Sequence, residues 1–166
     1  LSVTPIEFFS KLADRVTKNL TVITREGSAY RVDSRLRPGG SKGPLAQSVA
    51  AFRDHFERWA EVWEQQAYTR ARVVAGDEEL GRKVSRLVRE FVYEKPVPEE
   101  LAQRIDAMRH RMEDERVKRG AELHLKLGSG GIVEVEFIVQ YLQLLHGNDR
   151  AALRESNTVN ALDALY

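Results

Sequence analysis

Arg37-Pro38-Gly39-Gly40-Ser41-Lys42-Gly43-Pro44 puts three glycines and two prolines in eight residues. Proline lacks a backbone donor and glycine gives up the most freedom on ordering, so this composition belongs in a loop. The loop separates two kinds of sequence. Before it, Pro5 opens a first helix with Ile6, Phe9, Leu12, Ala13 and Val16 at helical spacing. Leu20–Thr24 is rich in β-branched residues and reads as a strand, Glu26-Gly27 as a tight turn, and Ala29–Asp33 as the returning strand of an antiparallel hairpin. Alternation along that strand puts Tyr30 and Val32 toward a core, with Arg31, Asp33 and Arg35 on the other face.

After the loop the pattern is helical. Leu45, Val49, Phe52, Phe56, Trp59 and Trp63 are spaced 4, 3, 4, 3, 4 and form one long apolar stripe, interrupted at Gly76-Asp77. Leu80, Val84, Leu87 and Phe91 repeat the spacing until Pro96 and Pro98, and Leu101, Ile105, Met108 and Met112 repeat it again. Gly128-Ser129-Gly130-Gly131 leads into a helix over Ile132–His146 that Gly147-Asn148 ends, and Asn157 or Thr158 starts a last helix. The expected fold class is α+β, predominantly helical: a hairpin from a partial sheet, then a bundle of antiparallel helices. The expected domains are residues 1–44 and 45–166.

The bulk composition narrows function. A chain of 166 residues holds one domain or pieces of two. At 42% hydrophobic and 31% charged it suits a soluble globular protein rather than a disordered one. A net charge of +1 gives no field to draw nucleic acid or an acidic membrane, so neither is expected as a partner. No apolar run is long enough to span a bilayer. The absence of cysteine removes disulfides, thiolate metal sites and cysteine nucleophiles, and is compatible with a reducing cytoplasm. The chain starts with Leu1 rather than methionine and stops at Tyr166 inside an apolar-patterned stretch, so an excerpt of a longer chain is expected.

Two constellations carry candidate chemistry. In Asp33-Ser34-Arg35-Leu36-Arg37-Pro38-Gly39-Gly40, a carboxylate near a strand end suits a hard cation such as Mg²⁺. Two guanidinium groups beyond it suit phosphate oxygens. The bland alternative is a surface hairpin in which Asp33 and Arg35 form an ion pair worth little. In Lys126–Phe137, a glycine loop opens a helix, an arrangement able to bind anions. At 100° per residue Glu136, Gln140 and Gln143 share a polar face, whereas Glu134 falls with Ile138, Tyr141 and Leu145 on an apolar one. An inward carboxylate there needs a partner: the helix's own first amides, or an arginine, lysine or metal from another segment.

Other features read as structural. His55, His110, His124 and His146 are scattered without ligand spacing. The basic run Arg109–Arg119 is interleaved with acids and reads as a solvated face. Trp59 and Trp63 read as core anchors rather than a base-stacking platform.

Taken together, Tyr30–Gly39, Trp63–Arg72 and Lys126–Phe137 resemble three phrases of the glutamine synthetase adenylyltransferases, in the same order and at matching separations. The resemblance spans essentially the whole chain. It implies a nucleotidyltransferase fold of the polymerase-β type, of which residues 1–44 would be the C-terminal part, followed by a helical domain. It implies transfer of AMP from ATP to a tyrosine of glutamine synthetase with Mg²⁺, phosphorolytic removal by a homologous half, control by a PII signalling protein, and a cytoplasmic setting. The wording of Trp63–Arg72 is more similar to the adenylylating half.

By position, the resemblance makes Asp33 a catalytic metal ligand. It makes Arg35, Arg37 and Lys126 nucleotide or phosphate contacts, with Glu134 and Glu136 in support. Two departures stand out. The family's Gly-Ser loop and Asp-x-Asp pair are not found before Asp33, where Asp14 stands alone, so the fragment by itself is expected to be inactive. Glu134 occupies a position where the family usually has aspartate. The alternatives are a helical module that binds glutamine synthetase or PII, and a nucleotidyltransferase with another acceptor.

Overall fold

Helix α1 begins with a reciprocal cap. In the computed structural model, which describes residues 3–116 and 124–166, α1 spans Pro5–Thr21. The Thr4 hydroxyl accepts from the Glu7 N–H at 3.4 Å, and the Glu7 carboxylate accepts from the Thr4 N–H at 2.9 Å. Pro5 takes the first helical position, where a missing N–H costs nothing.

The hairpin that follows is shorter than its sequence suggests. Strands β1 (Ile23–Thr24) and β2 (Gly27–Ser28) pair antiparallel, with Ile23 opposite Ser28 and Thr24 opposite Gly27. Gly27 supplies the positive φ of 99° that the turn requires. The expected strands Leu20–Thr24 and Ala29–Asp33 are corrected in two ways. Leu20 and Thr21 end α1, and residues 29–33 form no ladder. One bond, Tyr30 N–H to Leu20 O at 3.1 Å, closes the ribbon. Tyr30 and Val32, expected toward a core, are 66% and 37% exposed. A strand exists only where a neighbour takes its backbone groups, and no third strand lies beside this pair among the described residues.

The chain divides into two compact units, Leu1–Ala60 and Glu61–Tyr166. The first holds α1, the hairpin, the glycine-proline loop with a 3₁₀ turn at Gly40–Lys42, and α2 (Val49–Arg58). Ser48 caps α2 by accepting from the Ala51 N–H at 3.1 Å.

The single stripe through Trp63 is carried by two helices. α2 stops at Arg58, and α3 (Val62–Tyr68) starts afresh on its own capping box between Glu61 and Glu64. Trp59 and Trp63, expected as core anchors, are 71% and 43% exposed. What α3 buries instead is Tyr68 together with three polar side chains, Glu64, Gln65 and Gln66.

Within the second unit α4 (Glu78–Arg89) runs into a π-helical turn, Glu90–Glu94. Phe91, Val92 and Tyr93 are all buried there. In an ordinary helix three successive side chains fan over about 200°, so they do not share one interior. The widened turn loosens its carbonyls, and the Gln65 amide donates to Phe91 O at 3.1 Å and Val92 O at 3.2 Å. Helices α5 (Leu101–Arg116), α6 (Ile132–His146) and α7 (Thr158–Leu165) complete the unit, with Asn157 capping α7. The interior gathers Leu87, Phe91, Val92, Leu101, Ile105, Val133, Val139, Leu144 and Leu153.

The faces of α6 are grouped as expected and oriented the other way. Gln140 and Gln143 are 8% and 2% exposed, whereas Ile138 and Leu145 are 59% and 41% exposed. The inward amides are satisfied: Gln66 Nε2 donates to Gln140 Oε1 at 2.8 Å, and Gln143 Nε2 donates to the carbonyls of Leu153 and Glu155, each at 2.7 Å.

Candidate functional site

The Asp33 bend is held by local hydrogen bonds. Asp33 Oδ1 accepts from the Arg35 N–H at 3.0 Å, an Asx turn that folds the chain back on itself. The Arg35 guanidinium then forks onto the same carboxylate, with Nε 2.9 Å from Oδ1 and Nη2 2.6 Å from Oδ2. The Asp33 hydrogen bonds raise the Arg35 pKa further above its already high value. Both side chains are more than half exposed, so the pair adds little to stability.

Arg37 points into its own loop. Its guanidinium donates to Gly43 O at 3.0 Å, to Pro44 O at 3.2 Å and to Ser34 O, and so ties the neck of the glycine-proline loop. Gln47 Nε2 adds a bond to Pro38 O at 2.8 Å. Gly43 has no substitute here, because a Cβ would lie 2.2 Å from Pro38 O.

The second constellation centres on a residue that the charge pattern assigns to a solvated face. Arg109, on α5, is instead 6% exposed. Its Nη2 donates to Leu127 O at 2.9 Å, Gly128 O at 2.9 Å and Glu134 Oε1 at 3.2 Å, and its Nη1 lies 3.3 Å from Glu113 Oε2. A buried guanidinium needs such company. The signal is present in the sequence: Arg109 falls four residues after Ile105 and eight after Leu101, on the buried stripe of α5. The end of the run, Lys118 and Arg119, lies outside the described residues.

Arg109 pins the glycine loop that opens α6, and the loop consumes its own amides. The N–H groups of Ile132, Val133 and Glu134 donate to Leu125 O, Lys126 O and Gly131 O at 3.1, 3.1 and 2.9 Å. His124 Nδ1 accepts from the Leu127 N–H at 2.9 Å. The first amides of α6 therefore do not face an incoming anion, which the glycine pattern alone allows.

Glu134 has found its cation in Arg109, and Glu136 sits 3.1 Å from Arg70. Lys126 is exposed. The structure thus brings Asp33, Arg35 and Arg37 into one bend of the first unit. It places Lys126, Glu134 and Glu136 near one loop of the second, with the two glutamates turned to different arginines.

Beside the Arg109 clamp, α5 and α6 border a groove of about 490 Å³ lined by Ile105, Asp106, Glu113, Glu134, Ile138 and Tyr141, among others. Among the described residues no group of three or more Asp, Glu or His is arranged to hold a metal ion. No helix among them is long and apolar enough to cross a membrane.

Known proteins match along the chain. The family model described as glutamate-ammonia ligase adenylyltransferase matches residues 2–87. A second, described as GlnD PII-uridylyltransferase, matches residues 99–166. Curated relatives carry the name bifunctional glutamine synthetase adenylyltransferase/adenylyl-removing enzyme. That of Pseudomonas aeruginosa is 38% identical over 96% of the chain. That of Stenotrophomonas maltophilia is 40% identical over 96%, and that of Streptomyces coelicolor 44% over 80%. The chain spans 16%, 17% and 14% of their respective lengths.

Proposed function

The chain belongs to the glutamate-ammonia ligase adenylyltransferase family, and from that premise we propose that it is one section of an enzyme that transfers AMP from ATP to a tyrosine of glutamine synthetase and removes it by phosphorolysis. The observation that carries this reading is the extent of the similarity, 38% identity over 159 residues, which takes in both the Asp33 bend and the Lys126–Phe137 loop. In such chemistry catalysis is mostly positioning and neutralisation of phosphate charge. The bend suits that role, since Arg37 fixes the loop neck while Asp33 and Arg35 stand at its surface.

The family implies Mg²⁺ and ATP. This chain's residues do not by themselves fit a metal site, since Asp33 is one carboxylate already forked by Arg35 and no cluster of acids stands with it among the described residues. Asp33 would supply one ligand of a site completed by acids elsewhere in the enzyme, and the isolated chain is inactive in this reading. The PII partner is supported by the match of residues 99–166 to a PII-uridylyltransferase model, the adenylylating direction by the wording of Trp63–Arg72, and a cytoplasmic setting by the family's substrate.

The test is Asp33→Ala in the full-length enzyme, assayed for transfer of labelled AMP to glutamine synthetase. Loss of transfer with an unchanged unfolding midpoint supports the reading. Full transfer by the variant, or metal-dependent transfer by the isolated 166 residues, overturns it. A second reading, a helical module that grips glutamine synthetase or PII, draws on the mutual satisfaction of Asp33–Arg35, Arg109–Glu134 and Arg70–Glu136. It predicts that Asp33→Ala leaves both binding and transfer intact.

A further inference from the structure

The Asp33 bend has no ladder to hold it, since residues 29–33 form none. Its backbone bonds are short-range: the Arg37 N–H donates to Arg35 O at 2.9 Å, and the Gly40 N–H to Arg37 O at 2.8 Å. Further on, the loop closes a turn of its own, with the Lys42 and Gly43 N–H groups donating to Gly39 O at 3.1 and 3.0 Å. The Arg37 side chain joins the two. Its Nη1 donates to Ser34 O in the bend, and its Nε reaches Pro44 O at 3.2 Å at the far end of the loop. The Nε–Nη2 edge closes on Gly43 O, at 3.4 and 3.0 Å. That edge is the fork that would otherwise match two phosphate oxygens. The loop is fixed in turn to the helices of its unit. Gln47, just before α2, donates to the carbonyl of the buried Pro38 at 2.8 Å, and the Ala46 N–H donates to Ser10 Oγ on α1 at 3.4 Å.

We propose that Arg37 is a positioning residue rather than a phosphate contact: it locks the bend that carries Asp33 and Arg35 to the glycine-proline loop, and through the loop to α1 and α2. The inference rests on the nucleotidyl-transfer reading and deepens it. A residue of this kind acts on the barrier, because misplacing a reacting group by about 1 Å costs up to about a hundredfold in rate. Its loss lowers kcat and leaves KM for ATP in place, whereas loss of a contact made equally in the ground and transition states raises KM and leaves kcat. The three carbonyls are met by three different nitrogens of one plane. The fork therefore matters here more than the charge, and lysine and glutamine are about equally poor substitutes. A phosphate contact has the opposite ranking, since lysine keeps the charge and glutamine does not.

The test makes Arg37→Lys and Arg37→Gln in the full-length enzyme, with Arg35→Gln for comparison, and reads amide exchange beside AMP transfer. Both Arg37 variants are expected to lower kcat about tenfold to a hundredfold, with KM for ATP within about twofold of the parent. Exchange at Lys42 and Gly43 is expected to quicken about tenfold or more in both, while exchange in α4 and α6 stays as it was and shows that the variants fold. Arg35→Gln, whose side chain binds Asp33 instead of the loop, is expected to leave Lys42 and Gly43 unchanged. A rise of about tenfold in KM for ATP with kcat kept, larger for glutamine than for lysine, overturns the proposal in favour of a phosphate contact. Unchanged exchange at Lys42 and Gly43 in both Arg37 variants overturns it whatever the rates. Full transfer by Asp33→Ala sinks the transfer reading instead, and the exchange comparison still decides whether Arg37 locks the bend.

Discussion

Gln66 on α3 and Gln140 on α6 share a hydrogen bond of 2.8 Å with both side chains buried. Replacing either one by leucine leaves the other amide without its partner, at a cost of about 1–3 kcal/mol. The double variant removes both polar groups and is expected to recover part of that loss. Urea unfolding of the two single variants and the double variant measures the coupling.

Arg109→Met strands the Leu127 and Gly128 carbonyls and the Glu134 carboxylate together. Glu134 keeps partial access to water, so the loss is that of hydrogen bonds to a charged group, about 1.5–3 kcal/mol. Hydrogen exchange should speed up at the first amides of α6 before it does in α4. Arg109→Lys is expected to recover part of the loss, because Nη2 alone makes all three hydrogen bonds and one ammonium carries three donors.

Burial pushes the hydroxyls of Tyr68 and Tyr93 up to about 12 from the ordinary 10. The folded state holds those protons more tightly than the unfolded chain does. Their contribution is therefore complete below pH 10 and is lost as pH rises toward 12. Stability should decline through that window, and the tyrosinate absorbance of these two residues should appear late in it. Tyr68→Phe should flatten the decline.

Gly147 closes α6 against the ring of Tyr93. A Cβ there would meet Tyr93 Cδ1 at 2.4 Å, so Gly147→Ala forces the ring or the helix end to move. Overpacking of this kind costs about 1–3 kcal/mol. Thermal unfolding reads it directly, and Tyr93→Leu in the same background should relieve part of the penalty.

What is legible in the sequence is local. The helix over Ile132–His146, its glycine stop and the Asn157 cap all stand where the sequence puts them, because caps and glycines act within one turn. The break between Trp59 and Glu61 carries no glycine or proline to mark it; it depends on a capping box that needs α3 to exist. The strand expected over Ala29–Asp33 does not form because pairing is supplied by a neighbour, not by propensity.

The inward turn of α6 is invisible in the sequence for a related reason. Which face is buried depends on whether Gln66, Leu153 and Glu155 are there to receive the glutamines. At the candidate site, motif order names Asp33, Arg35 and Arg37, and the helical angle of Glu134 signals its need for a partner. Arg109 as that partner is obscured by the charged residues around it, although its place on the stripe of α5 is readable.

The widened turn at Glu90–Glu94 makes helix length itself a determinant of the fold. Deleting any one of those five residues would let the segment wind as a plain helix, with every side chain still chemically acceptable. Yet in a plain helix successive side chains stand about 100° apart, so the neighbours Phe91, Val92 and Tyr93 could no longer all share the interior. A frame of burial can thus be lost with no unsuitable residue introduced, so a relative one residue shorter here would need a differently shaped partner where Gln65 now stands.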